Sequence, residues 1–180
     1  MNQDIRDFLR RLEEAGRLND QAEPEHSKRF LNLEPETAEA LVLLLRIAGV
    51  RRLLEIGTSN GYSTIWIAAT LGAVGGRIVS IERNADKHRQ AQENLANAGL
   101  SQHVDLRLGD ATELVALLPG PFDCVFFDAD RVSAPQQLNL LLPKLSPRAL
   151  LLLITHCPIQ NRSPATWRVW LGLISSRIWC

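Results

Sequence analysis

Leu53-Leu54-Glu55-Ile56-Gly57-Thr58-Ser59-Asn60-Gly61-Tyr62-Ser63-Thr64-Ile65-Trp66-Ile67-Ala68 holds, in sixteen residues, a short apolar run, a glycine-punctuated turn and the start of a second apolar stretch. Leu53–Ile56 is too short for a helix and reads as a buried strand, while Ser63–Leu71 reads as a helix. Gly57 and Gly61 let the backbone between them turn tightly and approach a ligand with no Cβ in the way. A strand running through such a turn into a helix is the opening unit of an open α/β sheet, whose ligands bind beyond the carboxyl ends of the strands, at the topological switch point.

The pattern repeats on the C-terminal side of this unit. Arg77–Ile81 reads as a strand, Ala85–Ala98 as a helix stopped by Gly99, and Val104–Leu108 as a strand. Ala111–Leu118 reads as a helix, Phe122–Phe127 as a strand, Ala134–Leu142 as a helix and Ala149–Leu153 as a fifth strand. Strands each followed by a helix give right-handed crossovers and a parallel sheet covered on both faces. On the N-terminal side, Ile5, Phe8, Leu9 and Leu12 recur at helical spacing, which predicts an amphipathic helix over 3–16 ending at Gly16. Asn19–Lys28 is polar and reads as a loop. Pro35 and Glu36 then open a second helix, roughly 35–48. The expected fold is α/β: a Rossmann-like parallel sheet with helices on both faces, preceded by two N-terminal helices. Residues 1–50 carry those helices and 51–153 the sheet.

Composition narrows the function classes. The 180 residues suit a single core, and 20 basic residues balance 20 acidic ones, so no polyanion-binding footprint exists and nucleic acid is not an expected partner. The longest apolar run, Ala149–Ile154, is too short to span a bilayer, and Met1–Glu14 has no apolar stretch of the secretory kind. Cys124, Cys157 and Cys180 lack metal-ligand spacing and read as free thiols of a cytoplasmic protein. One stretch departs from the rest. The last acidic residue is Asp130, and six Arg or Lys follow it with no Asp or Glu.

Four motifs carry chemistry. The first is the glycine loop, whose G-x-x-x-G spacing follows an acidic residue and differs from the G-x-G-x-x-G of pyrophosphate binders. That difference favours a ligand without phosphate, such as S-adenosylmethionine, whose ammonium and sulfonium suit nearby carboxylates and carbonyls. The second is Glu82, which ends the second strand 21 residues after Gly61 and can accept hydrogen bonds from both ribose hydroxyls of a nucleoside. The third is Gly109-Asp110-Ala111, where Asp110 alone reads first as a helix N-cap and, in the shared crevice, also reaches an adenine edge. The fourth is the apolar strand Phe122–Phe127, which delivers Asp128 and Asp130 to its carboxyl end. Asp128 can there hold the ligand's amino group or a divalent metal, since two acids repel unless a cation is near.

In this order and spacing the motifs resemble the class I methyltransferases, and more narrowly the bacterial relatives of the catechol and caffeoyl-coenzyme A O-methyltransferases. The similarity runs from about Arg29 to Leu152, with Leu54–Ala68 its most specific string. The resemblance implies S-adenosylmethionine as cofactor, with Glu55, Gly57, Gly61, Tyr62, Ser63, Glu82, Asp110, Ala111 and Asp128 lining its site. It also implies a small-molecule hydroxyl acceptor, leaves a homodimer as one option for the assembly, and makes Asp128 the first of three ligands to a divalent metal such as magnesium. Asp128 and Arg131 are the expected catalytic residues. Arg131 stands where many of these relatives carry a general-base lysine, and an arginine, with a pKa above roughly 12, serves better as an anion clamp than as a base. The rival readings are a non-catalytic, cofactor-binding remnant of the same family and an NAD(P)-dependent oxidoreductase. The missing G-x-G-x-x-G weighs against the oxidoreductase.

After the fifth strand the family continues with an Asp-Asn pair, a helix and two further strands, whereas this chain reads Leu153-Ile154-Thr155-His156-Cys157-Pro158. Regrouping the codons from Leu152 by one base permits Ala-Asp-Asn-x-Leu-Ser-His-Pro, close to the family's continuation. Residues 154–180 are therefore expected to be an atypical tail translated out of frame. The rival is a divergent helix carrying Trp167, Trp170, Leu171 and Ile174 at partial helical spacing. With the last two family strands missing, the fifth strand is expected to be an open sheet edge.

Overall fold

The computed structural model describes residues 1–129, 132–156 and 167–173, the stretches 155–156 and 167–173 by backbone alone. Two helices, α1 (Gln3–Ala22) and α2 (Pro35–Ile47), precede an alternating series. It runs β1 (Arg52–Ile56), α3 (Tyr62–Gly72), β2 (Arg77–Glu82), α4 (Ala85–Asn97), β3 (Val104–Leu108), α5 (Ala111–Leu117), β4 (Phe122–Phe127), α6 (Ala134–Leu141), β5 (Leu145–His156) and β6 (Trp167–Leu173). Helices α1 and α4 start where a side-chain oxygen accepts from free N–H groups. Asn2 accepts from the Ile5 N–H at 2.9 Å to cap α1, and Asn84 accepts from Asp86 and Lys87 to cap α4. Pro35 opens α2, where its missing N–H costs nothing.

The strands lie in the order β3-β2-β1-β4-β5-β6. Neighbours from β3 through β5 are parallel. The chain builds outward from β1 to β3, then returns to the other side of β1 to lay down β4 and β5. The switch point therefore falls between β1 and β4. Alternate side chains of the strands feed two cores. Leu53, Ile78, Cys124, Phe126 and Leu152 pack toward α1, α2 and α3, while Leu54, Ile56, Val79, Val125 and Phe127 pack toward α5 and α6. Phe122 and Phe126 are fully buried. Truncating such a ring to Ala costs about 3–5 kcal/mol.

The structure corrects three of the expected boundaries. Gly16 does not end the first helix, which runs six residues further to Ala22. At Gly16 a Cβ would strike the Asn32 side chain, so this glycine serves packing between α1 and the chain that follows it. The polar stretch read as a loop accordingly keeps only its second half irregular, with a short 3-10 turn at His26–Lys28. The third correction concerns the sheet edge. The fifth strand is not open, because Trp167–Leu173 pair with it antiparallel, Leu150 opposite Leu173 through His156 opposite Trp167. Trp167, Trp170 and Leu171, read from their spacing as helical in the rival account of the tail, are in a strand. The other residues of the 154–180 tail, 157–166 and 174–180, lie outside the described residues.

Candidate functional site

Two parallel ladders extend past the ends of β1 and converge on one glycine. The Gly57 N–H donates to the Ile81 carbonyl at 3.0 Å, and the Asp128 N–H donates to the Ile56 carbonyl at 2.9 Å. Gly57 has φ of +102°, and a Cβ there would lie 2.8 Å from the Asp128 carbonyl carbon and closer still to its oxygen. Only glycine fits that conformation and that gap. Gly61 caps α3 with φ of +87°, but its open side faces the Ala91 backbone of α4 at 3.3 Å. It brings α4 close and is not part of the ligand wall.

Glu55, expected to touch the cofactor, lies behind the loop. It is fully buried, and its carboxylate accepts from Ser63 Oγ at 2.6 Å, Thr64 Oγ1 at 2.5 Å and Ser80 Oγ at 2.6 Å. Ser80 has a single proton, committed to Glu55, so Thr58 Oγ1 donates to Ser80 across the 2.6 Å that separates them. Burial pushes the Glu55 carboxyl above its ordinary value, an effect that the three hydroxyl donors only partly offset. Glu55 thus ties the loop and the first turn of α3 to β2. Ser63 reaches the cleft wall with its hydroxyl already given to Glu55.

The ends of the first four strands surround a cleft of about 560 Å³. Gly57, Tyr62, Ser63, Glu82, Asp110, Ala111 and Asp128 are among the residues that line it. Glu82 is only 7% exposed, and its two oxygens accept one backbone N–H each, from Ser59 at 2.7 Å and Asn84 at 2.8 Å. These bonds aim the carboxylate and leave each oxygen a lone pair for a ligand hydroxyl. Asp110 uses one oxygen, Oδ1, for both capping bonds to α5, from the Thr112 and Glu113 N–H groups. Its other oxygen is available to a ligand.

One wall comes from outside the four motifs. Residues 30–33 line the cleft and, with Arg29, form a strap tied to the loop and to α4. The Phe30 and Leu31 N–H groups donate to the Asp20 carboxylate at 2.7 and 3.0 Å, the Phe30 carbonyl accepts from Ser59 Oγ at 2.8 Å, and the Arg29 carbonyl accepts from Lys87 Nζ at 2.6 Å. Leu31 and Ser59 both have left-handed backbones, φ of +53° and +52°. Side chains disfavour that region, and it recurs at ligand sites. Burial lowers the Lys87 ammonium below its ordinary value. Ser59 lies inside the quoted motif, yet nothing in the sequence pairs it with Phe30, 29 residues away.

Asp128 is partly buried at the end of β4. Desolvation first and the Glu55 charge second hold its carboxyl well above the usual range. A carboxyl in that state gains from a neighbouring cation, which would draw it to the charged form. The cleft therefore fits a nucleoside with a cationic arm: Glu82 and Asp110 offer oxygens to hydroxyl and amine donors, and Asp128 calls for positive charge. A metal fits poorly. Among the described residues, no three His, Cys, Asp or Glu side chains come together to hold an ion. Arg131 and Asp130 lie outside the described residues.

Comparison with known proteins points the same way. A family described as methyltransferase domain matches residues 54–153. The catechol O-methyltransferase of Mycobacterium tuberculosis is 44% identical over 92 residues, covering 51% of this chain and 41% of the relative. That of Niastella koreensis is 36% identical over 105 residues, covering 56% and 47%. The chain thus spans less than half the length of these two curated relatives. Among solved structures, the O-methyltransferase TomG of Streptomyces achromogenes, in complex with SAM, superposes with a TM-score of 0.70 at 30% identity, over 86% of this chain and 66% of that one. The O-methyltransferase of Bacillus cereus in complex with SAH gives 0.70 at 29% identity, over 82% and 66%.

Proposed function

This chain belongs to the methyltransferase domain family, and on that premise we propose that it binds S-adenosylmethionine in the 560 Å³ cleft and transfers the methyl group to a hydroxyl of a small-molecule acceptor. The observation that carries the reading is Glu82. It is a carboxylate held by two backbone N–H groups at the end of β2, beside the switch point, with its remaining lone pairs facing the cleft. When bound, the cofactor supplies a methyl group made electrophilic by the positive sulfonium. The chain supplies position: Glu82 for the ribose, Asp110 for the base, Asp128 for the cationic arm, and the strap 29–33 for water exclusion. Holding two reactants in line is worth roughly 7–11 kcal/mol of the barrier, so alignment can be the chief contribution.

Titration calorimetry with S-adenosylhomocysteine, S-adenosylmethionine and NAD tests the reading. Heats from the two adenosyl compounds and none from NAD support it, and silence from both adenosyl compounds overturns it. Turnover with catechol-type acceptors, with and without magnesium, then separates the enzyme from a non-catalytic remnant, which would bind cofactor and transfer nothing. Sedimentation reads out a homodimer, and fractionation the cytoplasmic placement that this proposal also carries. Among the described residues no helix is long and apolar enough to cross a membrane. The out-of-frame origin of 154–180 belongs to the same proposal, and the coding DNA decides it. A shifted frame that stops at once or encodes nothing like the family removes the idea.

A further inference from the structure

Helix α6 carries a polar residue where its packing calls for an apolar one. Ala134, Leu138 and Leu141 form its inward stripe against the core beneath α5, and Gln137 sits on that same stripe, only 5% exposed. An uncharged amide this deep is ordinarily saturated by hydrogen bonds. Here Nε2 reaches Thr112 Oγ1 at 3.4 Å, a long contact, and the residue lines the cleft together with Gly109, Asp110 and Ala111. A break in the helical pattern that opens onto a ligand cleft marks a functional position.

The geometry points to Gln137 as the residue that selects the nucleobase, an inference resting on the cofactor reading above. With Nε2 on Thr112, the amide oxygen is the part of Gln137 left to meet a ligand in the cleft that Asp110 also lines. A carbonyl oxygen accepts from the exocyclic amine of adenine and meets lone pair with lone pair at the 6-oxo group of hypoxanthine. Specificity then comes as much from the repulsion built against the wrong base as from the bond to the right one. The preference requires the amide to keep Nε2 on Thr112, since an amide turned over would offer its N–H to the 6-oxo group instead.

The test is calorimetry of S-adenosylhomocysteine against S-inosylhomocysteine, which differ only at that position of the base. The unsubstituted chain is expected to prefer the adenosyl compound by at least tenfold. Gln137→Leu completes the apolar stripe and should keep the fold. It is expected to weaken the adenosyl compound about tenfold while leaving the inosyl compound nearly unchanged, so that the two converge. Gln137→Glu keeps an acceptor in the same place and should retain the preference that Gln137→Leu loses, a pairing that a purely structural role would not produce. If Gln137→Leu discriminates as the unsubstituted chain does, or Gln137→Glu loses the preference, the assignment is overturned while the cofactor reading stands. If the unsubstituted chain binds neither compound, the cofactor reading falls and this assignment with it.

Discussion

Two aspartates stand at opposite ends of β4, and the chain treats them in opposite ways. Asp123, at the strand's entry, is enclosed by donors: the Arg51 and Arg52 N–H groups at 3.0 and 2.9 Å and Ser146 Oγ at 2.7 Å. Burial pushes its carboxyl up, but Ser146, the two backbone bonds and the Arg52 charge outweigh that and bring it below the usual range. At the strand's exit, burial and the Glu55 charge push Asp128 the other way, above that range. One end of the sheet closes its own electrostatics, and the other leaves a carboxyl that a cation would complete. Stability is concentrated at the first end, and binding at the second.

The largest effect that would break this division is expected at Gly57, where both functions meet. Gly57→Ala places a methyl group against the Asp128 carbonyl at a φ of +102°. The left-handed backbone alone costs about 1–2 kcal/mol, and the overlap adds about 1–3 kcal/mol more. Thermal unfolding should show a drop of that order, together with loss of cofactor heat. A Gly57→Ala variant that binds as the parent does would show that the loop has room the structure does not give it.

The two ends of β4 should next be separable. Asp123→Ala strands three donors and is expected to cost about 1–2 kcal/mol at neutral pH, the lower part of the range for charged hydrogen bonds because water reaches the site. Cofactor affinity should not change. Because the folded carboxyl is depressed, its contribution is complete above the unfolded value of about 3.9 and fades as pH falls through the folded one, so the variant and parent should converge in acid. Asp128→Asn should behave inversely. A raised folded pKa means that stability is lost as pH climbs above about 3.9, so removing the charge should leave the ligand-free chain at least as stable as the parent at pH 7. Affinity for S-adenosylmethionine should fall about tenfold. Equal losses of stability and affinity in both variants would dissolve the contrast.

How much of this the sequence could show follows from how local each cause is. The alternation of strands and helices was legible because it depends on runs of neighbouring residues, and Phe122–Phe127 stands in the structure with the bounds its composition suggests. Glu82 and Asp110 were legible because a strand end places them whatever else the chain does. Glu55 was misplaced because motif spacing does not reveal which face of a strand end is covered, and that is decided by three hydroxyls on α3 and β2. The strap's contacts were invisible because Asp20, Ser59 and Lys87 lie 10, 29 and 58 residues from the Phe30 and Arg29 backbone groups they meet. β6 was missed because tryptophans at positions 167 and 170 fit a helical period, while their pairing comes from the open edge of β5. Gln137 was passed over as one polar residue in a helix, and only its burial singles it out.

The smallest effect sharpens the division most, because it falls within one side chain. Asp110 caps α5 through Oδ1 and offers Oδ2 to the cleft. Asparagine caps about as well as aspartate, so Asp110→Asn should hold stability within a few tenths of a kcal/mol, whereas Asp110→Ala should lose about 1 kcal/mol with the cap. If Oδ2 meets the base, the two variants should nonetheless weaken S-adenosylhomocysteine alike, by a few-fold. Asparagine must keep its one oxygen for the cap and so turns an N–H donor to the base, and alanine presents nothing there. If affinity instead follows stability, falling for Asp110→Ala and unchanged for Asp110→Asn, the residue is only a cap. The base would then be recognised from α6 alone.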